Sequence, residues 1–258
     1  MSYYKGNQSG NDLGLLGSTA VTGKDYWWWN SAVLWSSMID YWRYTGDDTY
    51  NAVVVEALTA QSGRGWPGDQ PFLPLNWTTV KVGNDDQGFW ALAGIQAAEL
   101  GFPAAQSGQP SWLELTQGVF DILAARWTTE EAGGCKGGLY WAARLDPAGA
   151  NALKNTLSTA VFLDLGARLS RFTGNHTYAD WAEKTWNWLA GTGLIDREYN
   201  VIMGTDAKVN CTQFYDQQLS YVAGVLIEAA AYMSNHVCPP PSHNLLVQPP
   251  SQTLIYLP

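Results

Sequence analysis

Two adjacent carboxylates, Asp85 and Asp86, form the pair in this sequence best suited to chemistry; Asn84 precedes them and Gln87 follows. They open a largely apolar stretch that reads as a helix. One aspartate there would be an ordinary N-cap, and a further negative charge suits the first helical turn. Two at the start of a mostly buried helix repel each other and resist removal from water, a cost that active sites commonly tolerate. Consecutive Cα atoms lie about 3.8 Å apart. Their carboxyl groups are therefore set more readily at about 5–5.5 Å, the spacing of a retaining glycosidase, than at the wider inverting distance. The chemistry would be a double displacement. One aspartate attacks an anomeric carbon, while the other, held protonated, donates to the leaving oxygen and then deprotonates an incoming water or sugar hydroxyl. Nothing in the pair itself says which aspartate takes which role.

The elements that must position this pair are helical. Apolar periodicity and breakers predict seven helices, at about 27–44, 48–61, 86–100, 111–127, 153–172, 177–190 and 213–234. No convincing period-2 strand is present. The turn Thr45-Gly46-Asp47-Asp48-Thr49-Tyr50 recurs as Thr173-Gly174-Asn175-His176-Thr177-Tyr178, a weak repeat of helix–turn–helix units. The first, third, fifth and seventh helices are apolar or small on most faces, whereas the second, fourth and sixth are amphipathic. Buried and coating helices in alternation describe an all-α, (α/α) double-layered toroid. The inner helices then run parallel, with their N-termini at one mouth. Trp28 and Asn30, Asn84 to Gln87, Lys154 and Asn155, and Gln217 and Gln218 lie at those N-termini. Residues 1–235 are expected to form this body and 236–258 a Pro-rich irregular tail.

Composition narrows the ligand. The net charge of −9 disfavours nucleic acid or an anionic membrane surface as a partner. No apolar run reaches the roughly 20 residues that cross a bilayer, and residues 1–10 are too polar for a signal peptide. The 14 tryptophans and 13 tyrosines could simply fill a core. Many, however, sit in polar, Gly-rich stretches, such as Tyr26-Trp27-Trp28-Trp29-Asn30 and Gly137-Gly138-Leu139-Tyr140-Trp141. Flat apolar faces edged by hydrogen-bonding groups suit pyranose rings, which makes Trp141 a candidate sugar contact; Asp206, in a loop after Gly204-Thr205, is another. Sequons at Asn7, Asn76, Asn175 and Asn210 favour secretion. The three cysteines lack zinc-type spacing, so no metal is expected. Cys135 and Cys211 are either bridged or buried as thiols, and Cys238 is left over. The three histidines lie in a turn and the tail and are read as structural or solvent-facing. Glu228, among apolar residues, is read as a buried hydrogen-bonding group.

With these residues in view, the chain resembles glycoside hydrolase family 76, the endo-α-1,6-mannanases, in its fungal cell-wall branch. The resemblance covers roughly residues 3–235. It rests on Tyr3-Tyr4-Lys5-Gly6-Asn7, Tyr26-Trp27-Trp28-Trp29, Ile39-Asp40-Tyr41-Trp42-Arg43-Tyr44-Thr45-Gly46-Asp47, Asn84-Asp85-Asp86-Gln87 and Lys154-Asn155-Thr156-Leu157-Ser158. Tyr178-Ala179-Asp180-Trp181, Gly204-Thr205-Asp206 and Asn210-Cys211-Thr212 extend it. It implies Asp85 as nucleophile and Asp86 as acid/base, a sugar-binding role for Lys154 and Asn155, no cofactor, and a six-hairpin toroid of which this chain supplies about seven of twelve helices. The implied substrate is α-1,6-linked mannan or the mannose core of GPI glycans. Wall glucan is a possible acceptor, and the location is secreted, at the cell wall or outer plasma-membrane surface. Three stretches depart from the family pattern: Asn30-Ser31-Ala32, Cys135-Lys136-Gly137-Gly138 and Gln218-Leu219-Ser220-Tyr221-Val222. They bear on the sugar subsites more than on the chemistry. A mannan-binding protein with impaired catalysis, or a non-functional fragment, is the alternative.

Overall fold

In a computed structural model, residues 4–9, 11–16, 26–63, 71–74, 81–104, 108–128, 135–144 and 152–237 are described. Seven α-helices form: α1 (Trp28–Thr45), α2 (Asn51–Ala60), α3 (Asn84–Leu100), α4 (Trp112–Ala125), α5 (Thr156–Thr173), α6 (His176–Gly191) and α7 (Ser220–Val237). α7 continues through residues 236 and 237, two positions into the expected 236–258 tail; the rest of that tail and the Asn76 sequon lie outside the described residues.

The recurring turn is one structure used twice. Gly46 and Gly174 both adopt φ 73°, with ψ of 1° and 6°. In each, the preceding threonine hydroxyl accepts the amide N–H two residues on (Asp47, Asn175), and that Asp or Asn caps the amide two further on. The left-handed conformation ends each helix; Asn175 then caps an amide in the first turn of α6, whereas α2 begins only after Tyr50 and has no side-chain cap bond. α4 starts differently, with a capping box: Ser111 Oγ accepts from Glu114 N at 3.2 Å while Glu114 Oε2 accepts from Ser111 N at 2.7 Å.

α1 packs on α3, α3 on α5 and α5 on α7, while α2, α4 and α6 return along the outside of α1, α3 and α5. Hairpins thus line up as part of an (α/α) toroid. The middle inner helices are enclosed: every residue of α5 from Thr156 to Ser170 is buried, as is nearly all of α3 from Asn84 to Ala97. Gly88 permits this close approach, since a Cβ there would collide with Val161 of α5. Beneath α4 and α6, Phe120, Phe162, Trp127, Trp181 and Tyr178 interlock edge-to-face or tilted, at centroid distances of 4.8–6.1 Å.

α1 and α7 are buried on one face only, because each has one inner neighbour. Ile227 of α7 and Tyr44 of α1 are 71% and 84% exposed. Between these two helices runs a groove of about 470 Å³, floored by Phe89, Leu92 and Gln96 of α3 and by Arg168 of α5. Arg168 spans its far end, donating to Glu99 of α3 at 2.7 Å and to Glu228 of α7 at 3.1 Å. Glu228 is half-exposed and ion-paired, more solvated than its apolar surroundings in sequence suggest.

A three-stranded antiparallel sheet, unforeseen in the sequence, gathers the helix N-termini. β1 (Leu153–Asn155) pairs with β2 (Gly204–Asp206), and β2 with β3 (Phe214–Tyr215). The expected starts of α5 at 153 and α7 at 213 are corrected accordingly: strands of two and three residues are too short to show alternation, and they occupy what read as helix. A Cys135–Cys211 disulfide, Cα to Cα 5.7 Å, ties the loop before β1 to the turn after β2. Lys154 of β1 is fully buried; its ammonium donates to Thr128 Oγ1 and to the carbonyls of Cys135 and Gly137. Bridge and ammonium hold the same loop.

Two glycines separate backbone freedom from packing. No atom lies within 4 Å of a Cβ at Gly174, so Gly174→Ala costs only the left-handed penalty, about 1–2 kcal/mol. Gly88→Ala drives a methyl into Val161 and costs about 1–3 kcal/mol through overpacking. In urea unfolding, Gly88→Ala combined with Val161→Ala should recover much of its loss, whereas Val161→Ala should give Gly174→Ala no relief.

Candidate active site

Asp85 and Asp86 occupy the first turn of α3, where free backbone N–H groups and the helix dipole favour negative charge. Asp86 Oδ2 accepts from Gly83 N at 2.7 Å, so one of its oxygens closes the N-terminal cap. Asp85 Oδ1 accepts from Asp86 N at 3.2 Å. A side chain on Gly83 would collide with Asp85 Oδ1 and come within 2.8 Å of Trp141 Nε1. The carboxyl group of Asp85 and the indole N–H of Trp141 therefore flank the same bare Cα.

Burial dominates the electrostatics. Asp85 is 7% exposed, and its carboxyl is pushed up to about 8, chiefly by removal from water and then by the neighbouring charge of Asp86. Asp86 is raised to about 6, again by burial, with the Gly83 N–H opposing. The neighbours of Asp85 act in the other direction: its own amide, that of Asp86 and the Ser158 hydroxyl all favour its anion. Ser158 Oγ makes no hydrogen bond of good geometry; it stands beside the carboxyl as a donor in reserve. Burial, and after it the field of Asp85, raises the phenol of Tyr221 at the start of α7.

The other sequence candidates divide by what their side chains touch. Trp141 is half-buried at the pair, as above. Asn84 and Gln87 turn inward, at 1% and 0% exposure. Asn84 Nδ2 donates to Tyr140 O at 2.8 Å and Gln87 Nε2 to Pro71 O at 2.7 Å, while Arg126 Nη1 donates to both amide oxygens. Trp28, 2% exposed, stacks on Trp90 at 5.4 Å and donates to Gln61. It belongs to the core; Tyr26 and Trp27 are the exposed aromatics of that run. Asn30 accepts from Trp27 N at 2.7 Å and closes the α1 terminus. Asn155 caps α5 by accepting from Ser158 N at 2.8 Å, and Lys154 beside it is no sugar contact, because its fully buried ammonium is engaged by Thr128, Cys135 and Gly137. Asp206 accepts from Lys208 N and caps the 3₁₀ turn Ala207–Val209. Gln218 is exposed in the stretch leading into α7.

The mouth expected from parallel inner helices therefore forms, but most of its amides serve as structural caps and links. The groups beside the pair that the sequence did not single out are Ser158, Tyr221 and Arg126. Ser158 and Tyr221 lie 73 and 136 positions away and come near only through the packing of α3, α5 and α7. Among the described residues, no group of three or more His, Cys, Asp or Glu could hold a metal.

Known proteins match along nearly the whole chain. The description of glycosyl hydrolase family 76 matches residues 1–238. A mannan endo-1,6-alpha-mannosidase of Saccharomyces cerevisiae, DCW1, is 38% identical over 237 residues, covering 91% of this chain and 49% of the yeast protein. DFG5 of the same organism, also named a mannan endo-1,6-alpha-mannosidase, is 34% identical over 237 residues, 91% of this chain and 48% of that protein. Among solved structures, Dfg5 from Chaetomium thermophilum in complex with glucosamine superposes with a TM-score of 0.80 at 41% identity, over 92% of this chain and 56% of that one. An inactive variant of the α-1,6-mannanase GH76A of Salegentibacter sp., in complex with alpha-1,6-mannotetrose, shares the fold at 19% identity and a TM-score of 0.66, over 90% and 61%. This chain thus spans about half the length of the curated relatives it matches. On the match across residues 1–238 and the identity to the yeast proteins, the chain belongs to glycosyl hydrolase family 76.

Proposed function

We propose that the site acts on α-1,6-linked mannan, or on the mannose core of GPI glycans, by a retaining double displacement at Asp85 and Asp86. The observation that carries this reading is the pair itself: two adjacent buried carboxyls, raised by burial so that together they hold one proton near neutral pH. The substrate class rests on the yeast relatives, named mannan endo-1,6-alpha-mannosidases.

The proton has to be on Asp86 when reaction begins. In the open site the deeper burial of Asp85 draws it there instead. A bound sugar ring removes water from both carboxyls, so the burial difference shrinks and hydrogen bonding decides. Asp85 has its own amide, that of Asp86 and the Ser158 hydroxyl to favour its anion, whereas Asp86 has the Gly83 amide. Substrate binding thus moves the proton to Asp86. Asp85 then attacks the anomeric carbon while Asp86 protonates the departing glycosidic oxygen, leaving a mannosyl ester. Asp86, now a carboxylate, takes a proton from water or from an acceptor hydroxyl, whose oxygen displaces Asp85. Water gives hydrolysis and a sugar hydroxyl, such as that of wall glucan, gives transfer. Trp141 and Tyr221 border this position as stacking or hydrogen-bonding partners for the ring.

A secreted, wall-facing location is part of the same reading, supported by the Cys135–Cys211 bridge, since disulfides persist in oxidising compartments. A second reading, a mannan-binding protein with little turnover, is favoured by one feature: the amides of Asn84, Gln87 and Asn155 are committed to the scaffold and so are withheld from the sugar.

Turnover of α-1,6-mannan should fall on the order of 10³-fold in both Asp85→Ala and Asp86→Ala, with mannobiose binding by calorimetry retained in each. Unchanged turnover in both variants sinks the catalytic reading. Binding without cleavage in the parent protein establishes the second one.

Stability follows from the same pair. A carboxyl whose folded pKa is raised binds protons more tightly in the native state, so its ionisation destabilises the fold. Stability falls as pH rises from the unfolded value near 4 through the folded values of about 6 and about 8. Asp85→Asn removes the costlier charge. The variant should unfold at higher urea than the parent at pH 8, by a few kcal/mol (about 1.4 for each tenfold change in proton affinity). The advantage should shrink toward pH 4; a difference independent of pH contradicts the proposed burial of the pair.

A further inference from the structure

The geometry points to Arg126 as a positioning residue for the carboxylate pair, acting through the orientation of the Asn84 and Gln87 side-chain amides. The inference deepens the reading of the same site and relies on it only for the activity readout.

Arg126 follows the last residue of α4, and its side chain reaches the start of α3. Nη1 donates to Asn84 Oδ1 at 2.7 Å and to Gln87 Oε1 at 2.8 Å. Both acceptors are neutral, and burial lowers the guanidinium to about 10, so the cation persists at neutral pH. The terminal carbonyls of α4 help to accommodate it. Buried cations are ordinarily matched with carboxylates, and apolar groups of similar volume often serve stability as well. An arginine that shares Nη1 between two amide oxygens is better explained by what it does to them.

A guanidinium only donates, whereas an amide has one accepting and one donating end. With Arg126 in place, the oxygens of Asn84 and Gln87 must face it, and their NH₂ groups must face the other way. Asn84 Nδ2 is thereby aimed at Tyr140 O and Gln87 Nε2 at Pro71 O. The first link joins α3 to the segment carrying Trp141; the second joins it to the turn at Pro71. Residues 84 and 87 are three apart, on one face of α3. Holding both sets the rotation of the first turn about its axis, and with it the directions in which Asp85 and Asp86 point. Without the guanidinium either amide can flip, and the turn loses two oriented anchors.

The test uses the whole chain with Arg126→Gln and Arg126→Lys. The lysine variant keeps a cation at the end of α4, but its shorter side chain stops short of the position of Nη1, which makes both contacts, and it covers the case in which Arg126→Gln does not fold. The first readout is the titration of the Asp85 and Asp86 carboxyl carbons by NMR without ligand, which does not depend on turnover. The second is kcat and KM on α-1,6-mannan. In both variants the upper apparent pKa of the pair should drop by about one or more as the loosened turn admits water. The kcat should fall about 10- to 100-fold, with KM changed less than about twofold. Titration curves that match the parent in both variants overturn the proposal, as does full restoration of both readouts by lysine, which would make charge rather than orientation the operative property. If the parent itself turns over no mannan, the catalytic reading falls while the titration still decides the role of Arg126.

Discussion

Removing two adjacent carboxyl groups from water at the start of one helix is the constraint around which this protein is arranged. The cost is visible in the upward displacement of both aspartates, with burial as the leading cause in each. It is offset locally by the bare amides of the first turn of α3 and by the Gly83 N–H, which Asp86 uses as a cap. Gly83 has to be glycine for the same reason, because a methyl would occupy the space of Asp85 Oδ1. Around this turn, Asn84 and Gln87 form links to Tyr140 and Pro71 rather than contacts for a ligand. A strained charge pair needs a rigid frame, and the amides nearest it serve as that frame.

The wider fold extends that frame. α3 and α5 lie against each other through Gly88 and Val161, which brings the first turn of α5, with Ser158, beside Asp85. α7 packs on α5 and brings Tyr221 within the electrostatic reach of the same carboxyl. The small sheet joins the segments that lead into α5 and α7, and the buried Lys154 and the disulfide secure the loop next to it. α1 and α7, each with a single inner neighbour, border the groove floored by the later turns of α3 and by Arg168 of α5.

The helices were legible because their signals are local. The Thr-Gly-Asx turn written twice, the apolar faces of α3 and α5, and the amphipathic α4 and α6 each announce themselves within about a dozen residues. The placement of the aspartate pair at a buried helix start was legible because the stretch that follows it is apolar on most faces. The strands were not, since two or three residues carry no period, and α5 and α7 were read as starting too early for that reason. Trp28 and Asn155 show the limit most clearly. An aromatic or amide at an inner-helix N-terminus can face a ligand or its own scaffold, and only the partners (Trp90 and Gln61 for one, Ser158 N for the other) decide. Arg126 was invisible for a related reason: its acceptors lie 42 and 39 positions earlier in the chain.

The central claim is that Asp85 forms a covalent bond with the sugar while Asp86 manages the proton. Peptide mass spectrometry after incubation with a mannosyl donor bearing a fluorine leaving group and a slowed second step reads this directly. The account predicts one added mannosyl unit on the peptide that contains Asp85, lost in Asp85→Ala and still formed in Asp86→Ala, because fluoride leaves without protonation. A sugar attached elsewhere, or mannan cleaved with no adduct at Asp85, would contradict it.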